Sequence, residues 1–526
     1  MVKRIAKRTV AILLSAIILA GSTGCGHSTL SENKNGNQDR PVVVNLEGGD
    51  WGYPTPFSHY ARGPGLYKMT LIFDSLLERG EEGYIPWLAE DWDISEDGLT
   101  YTFTLRENVK WQDGQPMTAE DVKFSFEYFA EYPPVFSDLT VDGKHFIQSV
   151  ETVDEKTVKL KVEKPLAILL GKIGSTRIIP KHIWEKVEDP QKFNTPEAVI
   201  GTGPYVLKDY IKEQGAYQFE AFKDFWGPKQ RVEILQFVPV SDSILAFDNG
   251  EIDLTRITTD ILSKYQSNEE YKVLRNPAFW GYRLLFNMER RTEFKDKKIR
   301  QAFAHAIDKD ELVEKIAREA AIPANAGYLP VGHIWHNAHA KNYGFDIERA
   351  KQLLDGEEFS FKLLTGNSNN EVRIAELLKI SLAKAGITLS ITSTDFKTRD
   401  AAVKRGDYEI VLNGHGGWGR DADILRTMYL TEKTSNRSPA VGGIPGYDND
   451  RINVLCRQQL FEIDAAKRKE IIFELQELIA EEIPQIPLYN TTGYIVFRPA
   501  AFDGWKYMFD HHGVTHNKLS YLDVRQ

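Results

Sequence analysis

The sequence predicts a protein that mixes α-helices and β-strands. Apolar and polar residues alternate over 92–94 and 101–105, on either side of a Ser-Glu-Asp-Gly turn, which is typical of a β-hairpin. Apolar residues from 299 to 316 recur every three or four positions, as on one face of a helix. Another strand pattern covers 408–412. With 526 residues, 42% of them hydrophobic, the chain can bury large cores and suggests about three domains.

A turn and a helix are predicted after the hairpin. Thr118 is placed to cap this helix, and Glu120 and Asp121 in its first turn suit the helix dipole. The later helical face is expected to pack in a core. It consists of Ile299, Ala302, Phe303, Ala306 and Ile307, prolonged by Leu312 and Ile316.

The strand over 408–412 leads into a glycine-rich segment that extends to Asp423. We expect its glycines to stop the strand and turn the chain. Polar side chains then lie at the end of a strand, where ligands of α/β proteins gather. This segment is the best candidate for a ligand site.

The N-terminal segment 1–25 is predicted to be an export signal. Its apolar stretch from Val10 to Ala20 is shorter than the ~20 residues that a membrane-spanning helix needs. Four cations precede that stretch: Lys3, Arg4, Lys7 and Arg8.

Cys25 directly follows small residues and resembles the lipidated cysteine of bacterial lipoproteins. The alternative is an ordinary signal peptide beside an unrelated cysteine. Segment 26–40 is polar and is predicted to be a flexible tether. Cys456 is the only other cysteine, so a disulfide framework is not expected if Cys25 carries lipid. A net charge of −10 argues against a nucleic-acid partner.

The run from Ala89 to Val122, AEDWDISEDGLTYTFTLRENVKWQDGQPMTAEDV, resembles the signature of the family 5 extracellular solute-binding proteins. Those proteins bind dipeptides, oligopeptides and nickel chelates. Further blocks that resemble this family follow in order along the chain. They begin at Gly201 (GTGPY), Phe247 (FDNGEID), Ile299 (IRQAFAHAID), Tyr343 (YGFD) and Ile483 (IPQIPLY).

The resemblance implies an α/β, two-lobed clamp of the periplasmic-binding-protein type (class II), with an extra α/β domain inserted in the first lobe. Lobe I is expected to comprise 41–76, 180–274 and 497–526, the inserted domain 77–179, and lobe II 275–496. Because each lobe is completed by chain returning from the other, the crossings are expected to act as a hinge.

Peptide binders of this family carry a Trp-x-x-Asp pattern, which Trp418 and Asp421 match. The resemblance implies that Trp418 stacks on the ligand and that Asp421 bonds its α-ammonium. Alternatively, Trp418 fills a core, and Asp421 pairs with Arg420 or caps the helix beginning near Ile424. Arg420 could meet a ligand carboxylate or could be a solvated loop charge, and the role of His415 is open.

A metal site is a second hypothesis, because His333, His336 and His339 are close in sequence and imidazoles are common transition-metal ligands. The alternative is a surface loop. Other aromatic candidates for the cleft are Trp51, Tyr60 and Trp280.

The resemblance implies a monomeric substrate-binding lipoprotein that delivers peptides to an ABC permease and ATPase. It would be held by lipid on the extracytoplasmic face of the cell membrane, in a periplasm or on an outer surface. The alternative ligand is a nickel or metallophore chelate. A secreted hydrolase is the remote alternative, because no nucleophile elbow, zinc-protease motif or P-loop occurs. Neither catalysis nor a cofactor is expected.

Overall fold

The computed structural model describes residues 41–60, 63–80, 83–135, 139–278, 280–416, 418, 421–434, 443–506 and 517–524. For 415, 433 and 434 it describes the backbone alone. The predicted signal, the lipidation residue Cys25 and the tether fall outside these ranges. No helix in the described part of the chain is long and apolar enough to cross a membrane.

The described chain opens with a four-stranded sheet. The first strand pairs in parallel with its neighbour, with Val43 opposite Ile234, and the remaining pairs are antiparallel. In spatial order the strands are Val43–Glu47, Ile234–Val238, Ala216–Ala221 and Tyr205–Ile211.

A second four-stranded sheet contains the predicted hairpin, which is confirmed with Ile94 opposite Tyr101. The predicted helix is also present, and the backbone N–H of Thr118 donates to Asp121 Oδ2 at 2.9 Å. The strands of this antiparallel sheet are Ala89–Ile94, Thr100–Leu105, Thr157–Val162 and Ile147–Thr152. Two short hairpins accompany it, Leu77–Arg79 with Tyr84–Pro86 and Thr140–Val141 with Lys144–His145.

A mixed six-stranded sheet organises the second half of the chain. Its central strands are buried on both faces because helices cover them. In spatial order its strands are Ala321–Pro323, Gln485–Thr491, Trp280–Phe286, Ile410–Gly416, Phe359–Gly366 and Ile387–Thr394. A three-stranded sheet takes two strands from the chain before the six-stranded sheet and one from the chain after it; in spatial order they are Leu254–Ile257, Tyr494–Phe497 and Lys272–Arg275.

Helices occur throughout the described chain. The α-helices are Gly63–Thr70, Ala119–Glu131, Leu169–Gly174, Lys181–Trp184, Ser243–Asp248, Leu262–Gln266, Lys297–Ala306, Lys309–Leu312, Ile347–Leu353, Asn369–Ala383, Phe396–Arg405, Asp423–Tyr429, Thr431–Thr434, Asp450–Phe461 and Ala465–Glu482.

Two large hydrophobic cores result. The first core is continuous across both four-stranded sheets and includes Leu46, Phe103 and Phe237. The second core surrounds the six-stranded sheet and includes Phe286 and Phe303. Burial of apolar area on this scale is the main favourable contribution to folding.

Two sequence predictions need correction in detail. The apolar face from 299 to 316 is buried as expected, but the helix ends at Ala306 and a new one begins after Asp308. The Asp308 side chain accepts from the backbone N–H of Glu311 at 2.9 Å, which caps the new helix.

The second correction concerns the glycines after residue 412. They do not stop the strand, which continues through Gly414 to Gly416 beside Trp280–Phe286. A side chain at Gly414 would overlap the ring of Trp280. Glycine there therefore lets the two strands stay paired beside a large aromatic residue.

A buried charge cluster ties the C-terminal segment to the first core. Lys518 Nζ lies 2.6 Å from Asp74 Oδ1 and 2.5 Å from Glu78 Oε1, and Arg177 also pairs with Glu78. Burial alone would raise the pKa of Glu78, but the charges of Arg177 and Lys518 outweigh it and lower the pKa to about 2.

We expect Lys518→Met to lower the free energy of unfolding by ~3–5 kcal/mol, because it leaves buried carboxylates short of a cation. Since the pKa of Glu78 is depressed, its contribution to stability is complete above about pH 4.5 and is lost as the pH falls toward 2. Urea unfolding at several pH values measures both effects. Lys192→Met, in an exposed pair with Asp189, is the control; equal stability of the two variants would contradict the prediction.

Candidate functional site

The candidate site begins where the central strands of the six-stranded sheet end. Trp280 lies opposite Gly416, and Trp418 follows two residues later. Trp418 exposes 2% of its surface and belongs to the second core. Its ring centroid is 6.0 Å from that of Tyr328. Trp418 therefore packs in the core in this conformation, and its contact with a ligand stays a prediction.

Tyr328, which packs against Trp418, belongs to a buried group of polar and charged side chains. Tyr328 has a left-handed φ of 83°, which is costly for a bulky side chain and recurs at functional sites. Burial raises the pKa of Tyr328 to about 12, against the opposing charge of Arg283. The fully buried guanidinium of Arg283 donates to Gln485 Oε1 at 2.9 Å and to the Tyr328 hydroxyl at 3.3 Å. Of this group, Tyr328 packs against the Trp418 ring.

Asp421 is held by a bidentate ion pair that the sequence analysis did not predict. Arg468 donates to Oδ1 at 2.6 Å and to Oδ2 at 2.8 Å. Oδ1 also accepts from the backbone N–H of Asp423 at 2.8 Å, close to the predicted capping role. The Asp421 side chain is nevertheless 42% exposed, whereas that of Arg468 is 5% exposed. A rigid carboxylate is thus presented to solvent with lone pairs to spare.

Arg468 is itself anchored by the second core. It donates to the backbone oxygen of Gln459 at 2.9 Å and to its Oε1 at 2.8 Å, and its guanidinium lies 5.2 Å from the centroid of the Trp335 ring. The sequence did contain a signal for this role. Arg468 precedes Ile472 by one helical turn on the buried face of helix Ala465–Glu482, where a cation needs a partner.

The charged network continues beyond Gln459. Gln459 donates to Asp423 Oδ1 at 2.8 Å, and Asp423 forms a bidentate pair with Arg426 at 2.7 and 2.8 Å. Arg426 also donates to Asp142 Oδ1 at 2.7 Å. Burial alone would lower the pKa of Arg426, but its bonds to Asp423 and Asp142 raise the pKa above its ordinary value. Among the described residues, this network holds three carboxylates and two guanidiniums.

The remaining predicted residues have different surroundings. Arg420 and the side chain of His415 lie outside the described part of the chain. His333 is buried, His336 Nδ1 lies 2.9 Å from the backbone oxygen of Leu329, and His339 is exposed. Within the described ranges, no group of three or more His, Cys, Asp or Glu side chains is arranged to hold a metal ion.

The aromatic candidates occupy different places. The ring centroids of Trp51 and Tyr60 are 6.0 Å apart, and 57% of the surface of Tyr60 is exposed. Half-buried Trp280 packs edge-on against Tyr282 at 4.8 Å. Trp280 is thus beside the candidate site, whereas Trp51 and Tyr60 belong to the part of the chain around the first core.

Two separate cores, a mixed sheet on each side and a polar site at a strand end define a two-lobed solute-binding protein. The model of the bacterial extracellular solute-binding proteins, family 5, matches residues 83–437. The chain belongs to this family.

Individual relatives agree with that assignment. The dipeptide-binding protein of Escherichia coli is 25% identical over 476 residues, covering 83% of this chain and 86% of the relative. Heme-binding protein A of Haemophilus influenzae is 26% identical over 463 residues, covering 81% and 83%. The crystal structure of the ABC transporter substrate-binding protein CtaP of Listeria monocytogenes is 26% identical, with a TM-score of 0.77, covering 91% of this chain and 98% of that one.

We expect Trp418→Ala to lower the free energy of unfolding by ~3–5 kcal/mol, because it leaves a cavity in the second core. Trp418→Phe should cost much less. Urea unfolding of the chain without residues 1–40 provides the measurement, with Tyr60→Ala as the exposed aromatic control. A cost below ~1 kcal/mol for Trp418→Ala would show that the ring is not a core element.

Proposed function

We propose that this protein captures peptides outside the cell membrane and delivers them to an ABC permease and ATPase. The observation that carries the proposal is the rigid, partly exposed carboxylate of Asp421. It is suited to accept a charge-assisted hydrogen bond from the α-ammonium of a peptide, which every unblocked peptide carries. The name of the Escherichia coli relative supports the same ligand class.

In this proposal the protein binds and releases its ligand and catalyses no reaction. Trp418 is proposed to supply an aromatic face when ligand enters, and Arg420 and His415 to complete the polar lining. We further propose a lipoprotein anchored through Cys25 on the extracytoplasmic face, acting as a monomer. We also propose that lobe I comprises 41–76, 180–274 and 497–526, that lobe II comprises 275–496, and that 77–179 is a domain inserted in lobe I; the two large cores support a division into two lobes.

A metal chelate is the second candidate ligand. The name of the Haemophilus influenzae relative favours it, since heme is an iron chelate. A chelate could be held through its organic part, so the arrangement of His333, His336 and His339 bears only on direct coordination of a bare ion.

Native mass spectrometry of protein purified from its host, with metal analysis of the same sample, separates the two candidates. We expect a distribution of bound peptide masses and no stoichiometric metal. One discrete ligand with stoichiometric nickel, cobalt, zinc or iron would overturn the peptide proposal in favour of a chelate.

We expect Asp421→Asn to weaken binding of a random tetrapeptide pool more than tenfold, because a charge-assisted bond contributes ~1.5–3 kcal/mol. The same pool with acetylated N-termini lacks the ammonium, so its weaker binding should hardly change. Isothermal titration measures both pools. Asp407→Asn, which alters an exposed carboxylate paired with Arg290, is the matched control. An unchanged preference for free over acetylated peptides in Asp421→Asn would remove Asp421 from the site.

A further inference from the structure

A hairpin of the first core reaches the second core. Its strands are Thr140–Val141 and Lys144–His145, and Asp142 is at the turn with a left-handed φ of 56°. The flanking residues Leu139 and Phe146 are buried in the first core. The hairpin therefore extends from the first core while Asp142 contacts Arg426, whose neighbours Leu425 and Met428 are buried in the second.

Asp423 holds the Arg426 guanidinium in the orientation in which it contacts Asp142. Its side chain is 4% exposed and is gripped by both oxygens of Asp423, which leaves Nη1 directed at Asp142. The Asp142 side chain is 42% exposed. The contact thus joins a guanidinium that is also paired with Asp423 to a partly exposed carboxylate, so little side-chain entropy is lost when the two meet.

A second contact lies at the same boundary. The backbone N–H of Ala167 donates to the backbone oxygen of Leu460 at 2.8 Å, and Leu460 packs against the first core although it belongs to helix Asp450–Phe461. The two cores are therefore apposed at this boundary, an arrangement called the closed form below.

The boundary is linked to the candidate site through hydrogen bonds. Asp423 is shared by Arg426 and Gln459, and Gln459 supports Arg468, which grips Asp421. Each step is a direct contact between charged or polar side chains. The position of Asp421 and the closed boundary consequently depend on the same group of side chains.

We propose that Arg426 is a positioning residue for ligand capture, because its ion pair with Asp142 latches the two cores together over the site at Asp421. This inference rests on the proposed function. Bound ligand and the Arg426–Asp142 ion pair both favour the closed form. Because they stabilise the same state, formation of one favours formation of the other. The ion pair then slows dissociation of the ligand and does not determine which ligand side chains are preferred.

The test uses Asp142→Asn, which removes the charge but keeps the shape, and asparagine tolerates the left-handed backbone at this turn. Spin labels on Glu155→Cys and Lys379→Cys, placed on exposed positions outside the two cores, report their separation in the protein without residues 1–40. Cys456 is fully buried and does not compete for label. Binding of the random tetrapeptide pool is measured on unlabelled protein.

We expect Asp142→Asn to increase the population with widely separated labels and to weaken binding of the pool about three- to tenfold, with an unchanged melting temperature. Asp142→Lys should have a larger effect because it repels Arg426. The difference between wild type and Asp142→Asn should shrink in high salt, since the pair is partly exposed. Asp407→Asn, an exposed pair within the lobe of the second core, should match wild type.

Label separations and binding equal to wild type in both Asp142 variants would overturn the latch. A wild-type protein that fails to bind the pool, while Asp142→Asn still widens the label separation, would support the latch and refute peptide capture. The two failures are therefore distinguishable.

Discussion

The two segments in which the chain passes from one core to the other constrain how the two halves of the structure are arranged. Lys272–Arg275 leads into the central strand of the six-stranded sheet, and Tyr494–Phe497 returns from that sheet. The two strands are paired, with Arg275 opposite Tyr494, and beyond them the backbone N–H of Asn276 donates to the oxygen of Gly493 at 3.1 Å. Because both crossings lie side by side, they are placed where a hinge between the two cores is expected.

Contacts between the two cores that lie away from these crossings differ in kind from contacts within one core. Some ion pairs lie within one core, and others join the two cores. Lys518 with Asp74 and Arg426 with Asp142 illustrate the difference. The first pair is fully buried and contributes to folding itself, whereas the second joins the two cores through a half-exposed carboxylate.

Features that depend on local sequence were predictable. The hairpin around Ile94 and Tyr101 and the helix that begins after Thr118 follow from alternation, turn residues and capping within a few positions. The glycines after Leu412 were misjudged, because their effect depends on Trp280, which is more than 130 residues away in the sequence. The break after Ala306 was missed because the apolar periodicity continues across it while the side chain of Asp308 starts a new helix.

The sequence by itself determined the family, the mixture of helices and strands, and the segment in which a ligand site was to be sought, since all of these are encoded in short motifs and periodicity. Only the tertiary structure decided that Trp418 is buried, that Arg468 grips Asp421, and that Arg426 reaches Asp142. These contacts join residues 47 and 284 positions apart in the last two cases. An ion pair between distant residues leaves no periodic trace, because either charge could equally be solvated until the fold brings the two together.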